Sequence, residues 1–164
     1  FTKSTNHGQT WGAPVKTYGN VSWNDKPVLA TSDDGRDVYL SWNGPTGGDP
    51  YIAQSHDFGQ TWTSIVGSDP DHRLPNVPVY VVKYDPVTPT TIYAGTQLGV
   101  YITTDDGATW DRMGDNFPVV PVRDIYVAKN QDFIIAENGD TVTIDVGSDS
   151  QPACTLAGAR SQGG

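Results

Sequence analysis

An eight-residue pattern occurs three times in this chain and constrains its fold more than any other feature. Ser4-Thr5-Asn6-His7-Gly8-Gln9-Thr10-Trp11 returns as Ser55-His56-Asp57-Phe58-Gly59-Gln60-Thr61-Trp62, and again as Thr103-Thr104-Asp105-Asp106-Gly107-Ala108-Thr109-Trp110. Gly8, Gly59 and Gly107 stand 51 and 48 residues apart, a period of propeller blades or similar arrays and not of helical hairpin repeats. The chemistry of the pattern is local. An Asp or Asn at the third position can fold its side-chain oxygen onto amides of its own turn, and the Ser or Thr at the first position can bond within the same turn. Gly at the fifth position supplies a positive φ. Trp at the eighth leaves the turn as a large apolar anchor, free to pack beneath it or on a neighbouring sheet. The pattern reads as a stapled β-hairpin.

Composition agrees. The 164 residues suffice for one ordinary domain, and 18 Gly with 12 Pro make it rich in turns. Five Trp, eight Tyr and four Phe argue against disorder. Of the 19 acids only Glu137 is Glu, and Asp favours turns where Glu favours helices. These counts exclude a helix bundle. No apolar stretch is long enough for a spanning helix. A formal net charge of −9 repels phosphate backbones and anionic lipid heads, so nucleic acid and membrane surfaces are poor partners. Cys154 stands alone, which rules out an intramolecular disulfide and a cysteine metal site. The chain opens on Phe1 and not Met, so it is expected to be a processed or excised piece. Asn20-Val21-Ser22 fits a glycosylation acceptor.

The three segments resemble Asp boxes, the S-x-D-x-G-x-T-W signature of bacterial neuraminidase repeats. That signature is shared by sialidases, oligoxyloglucan-type glycoside hydrolases, sortilin-like receptors and photosystem assembly factors built from the same blades. Asn6 in the first copy and Thr103 in the third depart from it, and each keeps a side-chain oxygen. In this family the box links the third and fourth strands (C and D) of a four-stranded blade, which phases the rest. The first whole blade then has strand A at Pro27-Val28-Leu29-Ala30, B from Asp37 to Trp42, C at Tyr51-Ile52-Ala53-Gln54 and D from Trp62 to Val66, with Ser32-Asp33-Asp34-Gly35 as its A–B turn. The next runs Val79 to Tyr84, Thr91 to Gly95, Val100 to Thr103 and Trp110 to Met113.

A second repeat supports this phase. Leu74-Pro75-Asn76-Val77-Pro78-Val79 returns 43 residues on as Phe117-Pro118-Val119-Val120-Pro121-Val122, each copy leading into a strand A. The later copy opens a blade with strands at Asp124 to Ala128, Phe133 to Ala136 and Thr141 to Val146, but no box follows. The expected organisation is therefore strands C and D of an incomplete blade in 1–25, full blades in 26–67 and 74–114, strands A to C in 117–146, and a linker or disordered tail in 147–164. The fold class is all-β, a partial propeller of four-stranded antiparallel blades with Asp-box hairpins between strands C and D. Thirteen strands make about three blades, whereas closed propellers have four to eight. The missing partners are expected to be further blades of the same propeller or a second copy of the chain, two three-blade halves closing one ring.

Candidate chemistry is sparse. Asp33-Asp34 and Asp105-Asp106 could suggest acid/base work or weak Ca²⁺ binding, but both pairs precede Gly in turns. No cofactor is expected. His7, His56 and His72 show no metal-ligand spacing, and the first two occupy variable positions of box turns, where solvent exposure is expected. A sialidase would need an arginine cluster with a Tyr–Glu nucleophile pair. None of Arg36, Arg73, Arg112, Arg123 and Arg160 lies in the family's arginine-bearing motif, and Glu137 is the one Glu available. Arg73 and Arg123 stand near starts of A strands, closer to where propellers place ligands, and are the better candidates, with surface salt bridges as their plainer role. Trp23, Trp42, Tyr39 and Tyr93 are most simply read as inter-blade packing; for a sugar-stacking platform the first candidates are Trp23 and Trp42, lying outside the boxes.

Three functions compete. The Leu-Pro-Asn-Val-Pro-Val and Tyr93-Ala94-Gly95-Thr96 segments resemble C-terminal blades of large secreted bacterial repeat proteins, implying a secreted, non-catalytic scaffold or glycan-binding portion of a sialidase-like propeller. The alternatives are a glycoside hydrolase whose catalytic set is completed elsewhere, and a protein-binding or self-assembling module.

Overall fold

The structure, a computed structural model, describes residues 1–17, 24–44, 49–114 and 119–127, with the backbone of 132–137 and 140–145. The described residues form eleven strands and no helix. One antiparallel sheet runs β1 (Asp25–Thr31), β2 (Val38–Asn43), β3 (Tyr51–Ser55) and β4 (Thr63–Ser64), in spatial order 1-2-3-4. A second repeats this order with β5 (Val79–Tyr84), β6 (Ile92–Thr96), β7 (Gly99–Thr103) and β8 (Asp111–Arg112). A third holds β9 (Asp124–Val127), β10 (Asp132–Glu137) and β11 (Asp140–Asp145), with β10 in the middle. The meander expected for each blade is present, and β5 has the expected bounds.

Two expectations need adjustment. The D strands shrink to two residues each, β4 and β8. The N-terminal C and D pair is not a strand pair: Phe1 and Val15 exchange bonds through both backbone groups (2.7 and 2.8 Å), and Gly12 N–H bonds Lys3 O (2.9 Å), but no regular ladder forms. A hairpin with no third strand beside it is marginal and keeps little beyond the bonds that flank its turn. Trp23, the acceptor triplet at Asn20, Cys154 and the tail lie outside the described residues.

The sheets stack face against face in succession, each strand dividing its side chains between two neighbours by the two-residue period. From the second sheet, Val82, Ile92, Ala94 and Trp110 join Tyr39, Ile52, Ile65 and Leu74 in one core. Its opposite face sends Val81, Tyr93, Val100 and Met113 to meet Val122 and Ile125 of the third. Every residue of β3 and β6 is consequently buried, as the middle of a doubly covered sheet requires. Gly95 is needed there, since a β-carbon would fall 2.5 Å from Val81 and 2.8 Å from Val122 O. The leading strands are neighbours, β5 touching both β1 and β9, as inner strands of radial blades must.

The three turns share one hydrogen-bond pattern. Ser55 Oγ accepts from Gly59 N–H (2.9 Å) and donates to Asp57 Oδ1 (2.7 Å), which also takes the Thr61 amide (2.8 Å); Oδ2 takes the Thr61 hydroxyl (2.6 Å). Thr103, Asp105, Gly107 and Thr109 repeat every bond, with distances of 2.6 to 2.9 Å. In the first turn Ser4, Asn6 and Gly8 do the same, but the Asn6 amide donates to Thr10 Oγ1 (2.8 Å) where a carboxylate would accept. The Thr61 hydroxyl and amide, with Ser55, hold the Asp57 carboxyl far below the usual carboxylate range. Burial pushes Asp105 upward, but the hydroxyls of Thr109 and Thr103 outweigh it and bring the carboxyl down to about 2.

Beyond the glycine, the residue before it is left-handed too: φ is 55° at His7, 61° at Phe58 and 62° at Asp106. This double left-handed step was not legible in His, Phe and Asp, types that differ in their tolerance of positive φ. In the two whole blades it aims the amide at the A–B turn of its own sheet, Phe58 N–H to Arg36 O (2.9 Å) and Asp106 N–H to Thr90 O (3.0 Å).

The third turn is then pressed onto the preceding sheet. Trp110 is 1% exposed and its indole donates to Ile65 O at 2.6 Å. A β-carbon on Gly107, φ 85°, would sit 2.5 Å from that of Ile65. His56 bridges the same two blades, one ring nitrogen on Asp37 Oδ1 (2.8 Å) and the other on Asp106 Oδ2 (2.9 Å). It is exposed, as expected, but joined to a carboxylate on either side. Burial pulls the imidazole down, yet the two carboxylates outweigh burial and hold it above the ordinary histidine value.

Two tests follow from this packing. Trp110→Ala should cost about 3–5 kcal/mol in urea unfolding, the range for a large core aromatic removed. The His56 contribution, belonging to a raised folded value, should be complete below about pH 6.5 and fade as pH rises through that value. Thermal melts at pH 6 and 8.5 should differ more for the wild type than for His56→Gln.

Candidate functional site

In an antiparallel meander the start of strand A, the end of B and the start of C lie at one end, and the C–D turns at the other. The boxes therefore occupy one end of the blades, and a cleft opens at the opposite end. It has a volume of about 500 Å³ and draws on all three sheets. Asp25 and Lys26 open β1, Asn43 closes β2, Asp49 precedes β3, Tyr80 lies in β5 and Arg123 precedes β9.

Local backbone irregularity shapes this cleft. The β1–β2 ladder shifts register between Asp25 and Val28, and the β5–β6 ladder shifts between Val79 and Val81. Bulges at the same place in two successive A strands bend both openings, a device found beside binding sites. Lys26 takes φ 50°, an uncommon value for a residue without a glycine's freedom. The Arg123 guanidinium carbon stands 4.5 Å from the Tyr80 ring centroid, joining third and second sheets in a flat wall. A smaller hollow of about 170 Å³ shares Asp49 and is lined by Tyr51, Arg73 and Asn76, with Arg73 Nη2 donating to Asn76 Oδ1 at 3.4 Å.

Arg123 and Arg73 thus stand at one end of the fold, in adjoining hollows parted by Asp49. Trp42 does not join them. It is 2% exposed and stacks on Tyr51 at 5.7 Å between centroids, so it offers no face to a ligand and its role is packing. Tyr80, Asn43, Asp25 and Asp49 were not legible as site residues, because nothing in their local sequence marks them; topology gathers them from four segments. The paired acids work in turns and between blades. Asp34 Oδ1 takes the Ser32 hydroxyl (2.6 Å) and the Arg36 amide (3.0 Å), while Asp106 Oδ2 takes His56 and Gln54 Nε2 (2.9 Å each). Among the described residues no group of three or more His, Cys, Asp or Glu is placed to hold a metal ion. β10 ends at Glu137, whose side chain lies outside the described residues.

No family model matches the chain. It is similar to YCF48 in its structure bound to D1 peptide, with TM-score 0.60 and 18% identity over 93% of this chain. It is also similar to the GH74 xyloglucanase of Xanthomonas campestris, with TM-score 0.57 and 17% identity over 87%. The chain is a run of β-propeller blades. It spans 46% of the first propeller and 24% of the second. A curated relative, the oligoxyloglucan-reducing end-specific xyloglucanase of Emericella nidulans, is 32% identical over 65 residues, 38% of this chain and 8% of that enzyme. The blades are thus similar to those of glycoside hydrolases and of YCF48. If the Arg123–Tyr80 wall ties the third blade to the second, Arg123→Ala should lower the melting temperature by a few degrees, with circular dichroism unchanged at 20 °C, as loss of about 0.5–1 kcal/mol predicts.

Proposed function

We propose that this chain is a non-catalytic, carbohydrate-binding portion of an extracellular Asp-box propeller protein of the glycoside-hydrolase-like kind. The observation that carries this reading is the cleft where β1, β5 and β9 begin. Three blades bring to it a flat Arg123–Tyr80 pair and the short polar side chains of Asp25, Asn43 and Asp49. Sugars are held by such groups, hydroxyls on carboxylates and amides and ring faces on planar side chains. The two xyloglucanases among the similar proteins lend support, and their name supplies the first probe.

Calorimetric titration with xyloglucan oligosaccharides, alongside a glycan array, tests the proposal. Arg123→Ala and Tyr80→Ala should each weaken binding about tenfold, roughly 1.4 kcal/mol, while Arg73→Ala leaves it within twofold. A folded chain that binds no glycan would refute this reading in favour of a protein-binding module.

One observation favours a second reading, hydrolysis. Asp25 and Asp49 both line the cleft, and glycosidases work with two carboxylates flanking the scissile bond. In that case the chain, or the longer protein that contains it, releases reducing sugar from xyloglucan oligosaccharides. Asp25→Asn or Asp49→Asn should then cut turnover by at least about a hundredfold, as loss of acid/base catalysis does. No turnover by either would leave the binding reading alone.

A further inference from the structure

Asn43 and Gly44 line the cleft together, and the fold keeps them as a chemically labile pair. In an Asn-Gly dipeptide the backbone nitrogen reaches the side-chain amide most freely, because glycine has no β-carbon to shield that nitrogen. Packing fixes this glycine. A β-carbon on Gly44 would fall 2.1 Å from the Tyr51 ring, itself stacked on Trp42. Asn43 is the last residue of β2, and its ladder to β3 has already stopped at Trp42 and Tyr51. Pro50, which comes next opposite Asn43, has no N–H to offer. Among the described residues the Asn43 side chain makes no hydrogen bond, so its amide is unheld. Asn6, Asn24 and Asn76 are followed by His7, Asp25 and Val77, whose side chains cover the nitrogen in question.

We propose that Asn43 is a self-modification site, at which the chain turns an amide of the cleft into a third carboxylate beside Asp25 and Asp49. The Gly44 nitrogen gives its proton to solvent base and attacks Asn43 Cγ. The N–Cγ bond forms, the Cγ–Nδ2 bond breaks, and Nδ2 leaves as ammonia with a proton from solvent. Water then opens the cyclic imide. Breaking the new N–Cγ bond gives aspartate at 43, and breaking the bond from nitrogen to the backbone carbonyl gives isoaspartate. Water is the only reagent consumed. The register decides what the new charge meets: Asn43 pairs with Asp25 across the β1–β2 ladder, and such partners stand about 5 Å apart on one face. The other charged or titratable groups around it are Lys26, Asp49, Arg123, the Tyr80 phenol and Tyr51 beneath Gly44. Lys26 Nζ is already engaged by Asp25 Oδ2, at 4.0 Å. Two carboxylates so paired repel, and one of them is then held protonated to higher pH. An amide that donates and accepts becomes a group that only accepts, so an aged chain offers its ligand a different cleft. The effect on sugars rests on the carbohydrate-binding reading; the modification does not.

Peptide mapping by mass spectrometry, with enzymatic methylation to score isoaspartate, tests this on the folded 164-residue chain held at 37 °C. The peptide containing Asn43 should gain the mass difference between an amide and an acid, faster at pH 8 than at pH 6, while those containing Asn6, Asn24 and Asn76 keep theirs. Asn43→Gln, whose longer side chain must close a larger ring, should stay unmodified at that position. Asn43→Asp supplies the product with its main chain intact. It should melt a few degrees below the wild type at pH 8, and the gap should close towards pH 4, where one carboxyl of the pair takes up a proton. An Asn43 peptide unchanged after four weeks at pH 8, conversion no faster than at Asn24 or Asn76, or an Asn43→Asp chain that melts with the wild type at both pH values would each overturn the proposal. None of these readouts involves a sugar, so failure here and failure of the carbohydrate-binding reading are told apart.

Discussion

The two whole blades of this protein are held in sequence by a hairpin tip in which one Asp carboxylate collects several hydrogen bonds. In the third turn that carboxylate fixes two successive left-handed residues, and these deliver a glycine without a side chain and a tryptophan with the largest one onto the sheet before. Hydrophobic burial supplies the attraction, but the staple decides where it acts. Asp105 and Thr103 hold the turn shape, Gly107 lets Ile65 approach, and Trp110 closes over it with an indole bond. Remove the shape and the same apolar groups lose their common direction.

Much of this was legible in the sequence, for a physical reason. The staple is local, so Ser55, Asp57, Gly59 and Thr61 had to appear in fixed order within one turn. The strands of doubly covered sheets had to be short apolar runs between turn residues. The cleft was less legible. Arg123 could be singled out because it precedes an A strand, but its partner Tyr80 is 43 residues away and joined to it only by the stacking of blades. For Trp42, an aromatic outside the repeats, sequence left packing and a sugar platform both open, and the fold decides for packing by laying Tyr51 against it. His56 looked like a solvent-facing turn residue until the neighbouring blade brought Asp106 to its far nitrogen.

The two ends of the molecule divide the work. At one end the repeated turns use their polar groups on themselves, and little is left to meet a ligand. At the other, bulges in β1 and β5 loosen the ladders, and side chains from three sheets face a common hollow. Rigid blade packing lets those side chains come from distant segments and still keep a fixed spacing, which is what a binding surface on a propeller requires.

The single Asn among the three staples makes acid an uneven solvent for this protein. Asp57 and Asp105 must each take up a proton when their turns let go, so their grip weakens as pH falls through their depressed values. Asn6 has no proton to gain, and its amide already donates to Thr10. In a strongly acidic medium the inner blades therefore loosen while the outermost turn, the one with its tryptophan uncovered, keeps its form.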